Sequence, residues 1–189
     1  MNYENHTFLN YLQEMSDKRR NALIDIYEDY KHLFHKAKGS TFNHQAWDGG
    51  YADHLAECFM INNTVYKALS TIRPLPFTKD SAAVALFFHD IEKPFKNINS
   101  DDKNVLFWQN HQETSLKSWE SIKFDILNHM QETYKFALND DEINALLYTH
   151  GEGSDHQKTK RVMSPLAAHV HHCDNTSARI WHNFAQQNI

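Results

Sequence analysis

Residues 85–95 read Ala-Leu-Phe-Phe-His-Asp-Ile-Glu-Lys-Pro-Phe (ALFFHDIEKPF), an apolar run that closes on His89 and Asp90, with Lys93 three residues further on. Ending a hydrophobic segment on adjacent ionisable groups is costly unless something neutralises them, because burial penalises an unpaired charge. The stretch RPLPF at 73–77 breaks the chain ahead of it, and Thr78 or Asp80 is placed to cap a helix running into His89. The expectation is a buried helix that carries chemistry at its C-terminal end.

A buried helix needs neighbours, and the chain reads as helical around it. Its 189 residues include only 5 Gly and 4 Pro, with 41% hydrophobic and 13% aromatic residues, which favours an all-α, single-domain helical bundle. Between 5 and 37, Phe8, Leu12 and Met15, then Leu23, Ile26, Tyr27, Tyr30 and Phe34, fall at helical spacing around the charged break SDKRR. This predicts two helices, or one bent helix, ended by Gly39. A loop, GSTFNHQAWDGG, then leads to a helix from about Tyr51 to Leu69. Residues 91–103 read as loop, followed by helices over Val105–Trp119, Ser121–Phe136 and Asp141–Thr149. After a second polar loop, GEGSDHQKTKRVM, Ser164 and Pro165 open a last helix to about Phe184. No repeat or linker divides the chain.

The charge balance narrows the function classes. Nineteen Lys+Arg against 24 Asp+Glu give a formal net charge of -5, which argues against wrapping duplex nucleic acid but leaves room for a small anion held by a local cluster. Cys58 and Cys173 have no CxxC partner, so neither a zinc ribbon nor a disulfide framework is supported. No apolar run reaches membrane-spanning length, and MNYENHTFLNYLQEM lacks the features of a signal peptide. The chain is expected to be soluble, unexported and cytoplasmic, with no membrane partner.

Histidine is abundant, with 14 in the chain. His54 lies one turn into its helix in GGYADHLAEC, four residues before Cys58, and His171 and Asp174 share a face of the last helix with Ala167 and Ala178. A helical bundle can aim such residues, together with His89 and Asp90, at one interior point. Imidazoles and carboxylates gathered there suit a transition metal.

Taken in order, His54, His89-Asp90 and Asp174 resemble the H...HD...D signature of the HD-domain superfamily of metal-dependent phosphohydrolases. HQAWDGGYADHLAEC resembles the H-x-GG-x-x-EH segment of the group that includes HD-type 3'-5' exoribonucleases. FFHDIEKP resembles their HDxGK motif, LLYTHGEG their HHG segment, and SPLAAHVHHCDNTSAR their closing helix. The likeness covers about residues 42–182. Glu92 stands where the family often has glycine, Thr149 where a first histidine is common, and Asp53 where glutamate is usual. The resemblance implies an HD-type domain over 41–189; an N-terminal helical extension over 1–40, which none of these motifs covers, is expected to pack on it.

It also implies a ligand set. Simple family members hold one ion with four residues, here His54, His89, Asp90 and Asp174; the two-metal branch adds two histidines, matched by His111 in FWQNHQETS and His150 in YTHGEG, with Asp90 bridging the ions. Two divalent transition ions are therefore expected, with Mn, Fe, Co or Ni suited to the mixed donors better than Mg. Cations about 3.5 to 4 Å apart can hold a hydroxide and clamp an in-line attack on phosphorus. Lys93 is expected to meet a phosphate oxygen or the attacking water, and His44 to protonate a leaving oxygen or bind phosphate. Lys158, Lys160 and Arg161 would form a basic rim, Gly49-Gly50 would allow close backbone approach, and His171 would stand behind the ligands. His129, His169 and His172 read as structural or surface residues.

The expected function is hydrolysis of a phosphoester, mono or di, in a nucleotide or short single-stranded oligonucleotide. The alternative is a di-iron oxygenase that cleaves a C-P or C-C bond with the same ligands, and a third reading is a nucleotide-sensing module without turnover. Base and sugar preference and oligomeric state are not written in these motifs.

Overall fold

The computed structural model describes residues 8–96 and 98–181. Its helices are α1 (Phe8–Glu14), α2 (Arg20–Phe34), α3 (Gly50–Ile72), α4 (Lys79–Phe88), a single turn α5 (Lys93–Lys96), α6 (Lys103–Ser115), α7 (Trp119–Tyr134), α8 (Asp140–Leu147) and α9 (Pro165–Ile180). Among the described residues there is no strand, and the fold is all-α. No described helix is long and apolar enough to cross a membrane.

The caps explain where the helices begin and why some expected limits move. Thr78 accepts from Ser81 N at 3.0 Å and opens α4, whereas Asp80 does not cap it. Asp80 instead accepts from the amide and hydroxyl of Ser16 at 2.9 and 2.7 Å, tying the end of α1 to α4. The helix expected over Val105–Trp119 starts on an Asp102 cap and stops at Ser115, because Leu116 turns left-handed (φ 56°) and Ser118 caps α7. Asn139 and Glu142 form a reciprocal capping box, which starts α8 at Asp140. Residues 93–96, expected as loop, make one helical turn, which tolerates Pro94 so near its start. The last helix ends at Ile180; the expected limit at Phe184 lies outside the described residues, as do residues 5–7.

Helix α4 is the centre of the molecule. Ala82 to Phe88 are all buried, and α4 packs on α3, α8 and α9. Each large apolar side chain buried this way contributes about 1.5–3 kcal/mol relative to exposure. The N-terminal helices belong to the same core: Leu12, Met15, Leu23, Ile26 and Phe34 cluster with Phe87, Phe88 and Ile126. Arg19, between α1 and α2, grips the buried Glu142 of α8 through two nitrogens at 2.6 and 2.8 Å. Cys58 and Cys173 are free and buried.

Candidate metal centre

Helix α4 ends at Phe88, so His89 and Asp90 leave the apolar run where the backbone starts to turn, against α3 and α9. Both are buried, with His54 from α3 and Asp174 from α9 beside them. His54 Nε2 lies 3.1 Å from His89 Nε2 and 3.2 Å from Asp174 Oδ1. His89 Nε2 lies 3.2 Å from Asp90 Oδ2 and 3.6 Å from Asp174 Oδ1, and His54 Nε2 lies 3.7 Å from Asp90 Oδ2. Bonds of about 2.1 Å to one cation, at octahedral or tetrahedral angles, separate neighbouring ligand atoms by roughly 3.0–3.4 Å. The spacing fits a shared ion.

The two rings are locked in the tautomer that a metal needs. His89 Nδ1 donates to Leu86 O at 2.7 Å, which leaves the Nε2 lone pair facing Asp90 and Asp174. His54 Nδ1 lies 2.9 Å from Ser177 Oγ, whose own hydroxyl donates to Glu57 Oε2 at 2.8 Å. The serine oxygen therefore accepts from His54, and the second Nε2 lone pair also points inward. Gln45 Nε2 donates to Glu57 Oε2 at 2.7 Å and to Ser177 Oγ at 3.2 Å. The glycine pair makes room for this glutamine: a Cβ on Gly50 would fall 1.9 Å from Gln45 O, and Gly49 sits at φ 85°.

Lone pairs facing one another across 3.1 Å, with carboxylates on the other sides, demand positive charge between them. Burial opposes protonation of His89, yet the Asp90 charge and the hydrogen bonds that the ring donates to Asp174 and Asp90 outweigh it and push its pKa up to about 10, so without a metal a proton on Nε2 supplies the positive charge that a cation would bring. Burial would raise Asp90 and Asp174, but Lys93 and His89 hold Asp90, and His54 and His89 hold Asp174, below the usual carboxylate range. Asp90 Oδ1 has no hydrogen-bond donor, and Oδ2 is paired with Lys93 Nζ at 2.5 Å. Glu92, also buried, is pushed up to about 7 by burial and the Asp90 charge.

Cys58, one turn after His54 on α3, is a further ligand candidate. Donor atoms of His54, Cys58, His89 and Asp174, all buried, lie within 4.8 Å of one another and could hold a metal ion. The sulfur is 3.7 Å from His54 Nε2 and 3.9 Å from Nδ1, so it rests against the ring rather than along the Nε2 lone pair. Burial and the Asp174 charge push its thiol pKa well up.

Asp90 and Asp174 form one wall of a cavity of about 490 Å³, also lined by His44, Lys93, His150, His171, Asn43, Asn175, Ala178 and Arg179. His150 Nε2 stands 3.7 Å from Asp90 Oδ1 and 3.9 Å from Asp174 Oδ2, on the open side. His171 Nδ1 meets Thr149 O at 2.5 Å, which positions the residue before His150. His44 brings its ring to 5.3 Å from that of His54, with a buried Nε2 that has no partner. Burial, followed by the Lys93 charge, lowers its pKa to about 4, so it enters the cavity neutral.

Other expected residues are elsewhere. His111 binds Asp125 at 2.9 Å and stacks on Phe107, and it does not line this cavity. Lys158 and Lys160 are exposed and away from the lining, and Arg161 borders a different cavity. Besides Lys93, the basic side chain that reaches the cavity is that of Arg179. With Asn175 it was not singled out in the sequence, although 171, 174, 175 and 178 fall on one helical stripe and Arg179 flanks it.

Fold and site define an all-helical protein with a buried histidine, cysteine and aspartate cluster able to hold a metal ion. Compared with known proteins, the chain matches no family model, no curated protein and no solved structure.

Proposed function

We propose that this protein is a metal-dependent phosphohydrolase of the HD-domain type that cleaves a phosphoester of a nucleotide or short oligonucleotide. One observation carries the reading: two tautomer-locked imidazoles and two carboxylates gather at ligand spacing on the wall of a cavity that also presents Lys93 and Arg179. The order of these four residues along the chain, resembling the HD signature, supports it.

The ligands are His54, His89, Asp90 and Asp174. Asp90 is favoured over Cys58 because its oxygen is already ionised and approaches both Nε2 atoms, whereas the thiol would have to lose a proton in a buried, anionic setting. One ion fits this set. A second would have Asp90 Oδ1 and His150 but not His111, which is engaged by Asp125. When bound, a divalent cation of the Mn, Fe, Co or Ni type supplies Lewis acidity toward a phosphoryl oxygen and toward water.

The protein's own residues do the rest. Lys93, paired with Asp90 and open to the cavity, keeps that carboxylate oriented and offers its ammonium to a phosphate oxygen. Arg179 presents a planar fork suited to a second pair of phosphate oxygens. Neutral His44 offers a ring nitrogen for hydrogen bonding to the ester oxygen, and Asn43 and Asn175 supply neutral donors and acceptors for the remainder of the substrate.

The test is to strip the purified protein with chelator, reload it with Mn²⁺, Fe²⁺, Co²⁺ or Ni²⁺, and assay phosphate esters under argon. The panel spans nucleoside mono- and triphosphates, cyclic nucleotides and short oligonucleotides. Metal-dependent ester cleavage without oxygen is the expected result. Turnover that requires both iron and O₂ would instead establish the oxygenase alternative, and failure to retain any of these ions would end the metal reading.

A further inference from the structure

A second cavity, of about 700 Å³, lies against a different face of α9 and shares no lining residue with the metal centre. Its walls come from the end of α3, the segment 73–77, and the start of α9, and its volume is in the range usual for small-molecule sites. Leu69, Phe77 and Pro165 make an apolar body, while Arg73 and Arg161 border it from two separate segments. Among the described residues no carboxylate lines it, in a chain with 24 acidic residues against 19 basic ones. The local charge is opposite in sign to that of the whole protein.

A buried histidine backs the cavity: His169 is only 5% exposed, and its Nδ1, closed off from solvent, has no partner among the described residues. Its Nε2 lies 2.8 Å from Asn62 Oδ1, and Asn62 uses its amide nitrogen on Lys79 O, so Nε2 carries the proton and Nδ1 is a bare acceptor. Burial, followed by the His172 charge, lowers the His169 pKa to about 4, which keeps the ring neutral. The ring lies 5.2 Å from that of Phe77, beside the apolar wall. His169 therefore adds an uncharged ring to the apolar wall.

We propose that this cavity binds a small aromatic acid, with its acidic group drawn to the arginines Arg73 and Arg161 and its ring against Phe77. The site goes beyond the phosphohydrolase reading and stands independently of it. An aromatic ring satisfies the apolar walls, and the acid matches the two guanidinium groups.

Isothermal titration with 4-hydroxyphenylacetate tests the proposal. Saturable binding is expected, weakened about tenfold by Arg73→Gln or Arg161→Gln, both at exposed positions whose loss leaves the core intact. Replacing the acid by 4-hydroxyphenylacetamide is expected to cost a similar factor. No binding at millimolar ligand would overturn the site. So would binding that survives both arginine substitutions but is lost in Arg179→Gln, because that places the acid in the metal cavity. Phosphoester cleavage, present or absent, bears on neither outcome.

Discussion

The triplet His89, Asp90 and Lys93 has a chemical twin in His111, Asp125 and Lys117. In each, a carboxylate is close to both an imidazole and an ammonium: 3.2 and 2.5 Å in the first, 2.9 and 2.6 Å in the second. Their settings differ. Side-chain exposures are 0, 1 and 14% for the first set and 35, 26 and 43% for the second. Exposed pairs are worth about 0–1 kcal/mol, since water already solvates both partners. Buried charges cost several kcal/mol each unless paired, and they persist where they hold something. Residue type and bond length are alike; burial separates the triplet at the candidate metal centre from a surface ion pair.

The hardest way to break the comparison is at Asp90. Asp90→Ala is expected to abolish metal retention and turnover, and to destabilise the fold by about 3–5 kcal/mol by leaving Lys93 without its buried partner. Metal content by mass spectrometry and a urea melt measure both; an Asp90→Ala protein that keeps its metal would end the assignment. Loading the intact protein with Mn²⁺ at a hundred times its dissociation constant should stabilise it by about 2.7 kcal/mol, with EDTA reversing the shift in melting temperature.

A subtler break lies behind His54. Ser177→Ala removes the acceptor for His54 Nδ1 and leaves that proton without its oriented partner. Metal affinity should fall by about 10–100-fold, read by competition with a chromogenic chelator, while the fold persists. Unchanged affinity would show that Glu57 and Ser177 do not set the tautomer.

The smallest effect sharpens the comparison from the other side. His111→Ala should change stability by about 0–1 kcal/mol and leave metal stoichiometry and turnover as they were. Loss of one equivalent of metal in that variant would bring His111 back into the site and restore a two-ion centre.

Much of the architecture was readable from local rules. The apolar run at 82–88, the Thr78 cap, the SDKRR break and the Ser164-Pro165 start all act through near neighbours, and they appear where expected. Errors gathered where a single backbone angle decides, as at Leu116, or where a carboxylate had a better distant partner, as Asp80 has in Ser16. Gln45, with φ at 40° and full burial, could not be foreseen, because its role depends on Glu57 and Ser177 brought in from other helices.

The chain alone determined the helices, the apolar character of α4, and the kinds of residue able to bind a metal, since these follow from periodicity and side-chain chemistry. Only the tertiary structure decided which of them meet. It buried His89 and left His111 at the surface, brought Arg179 rather than Lys158 or Lys160 to the cavity, and set Cys58 beside the cluster. The physical reason is that a ligand is made by distance and dielectric together, and both are fixed by packing between segments far apart in sequence.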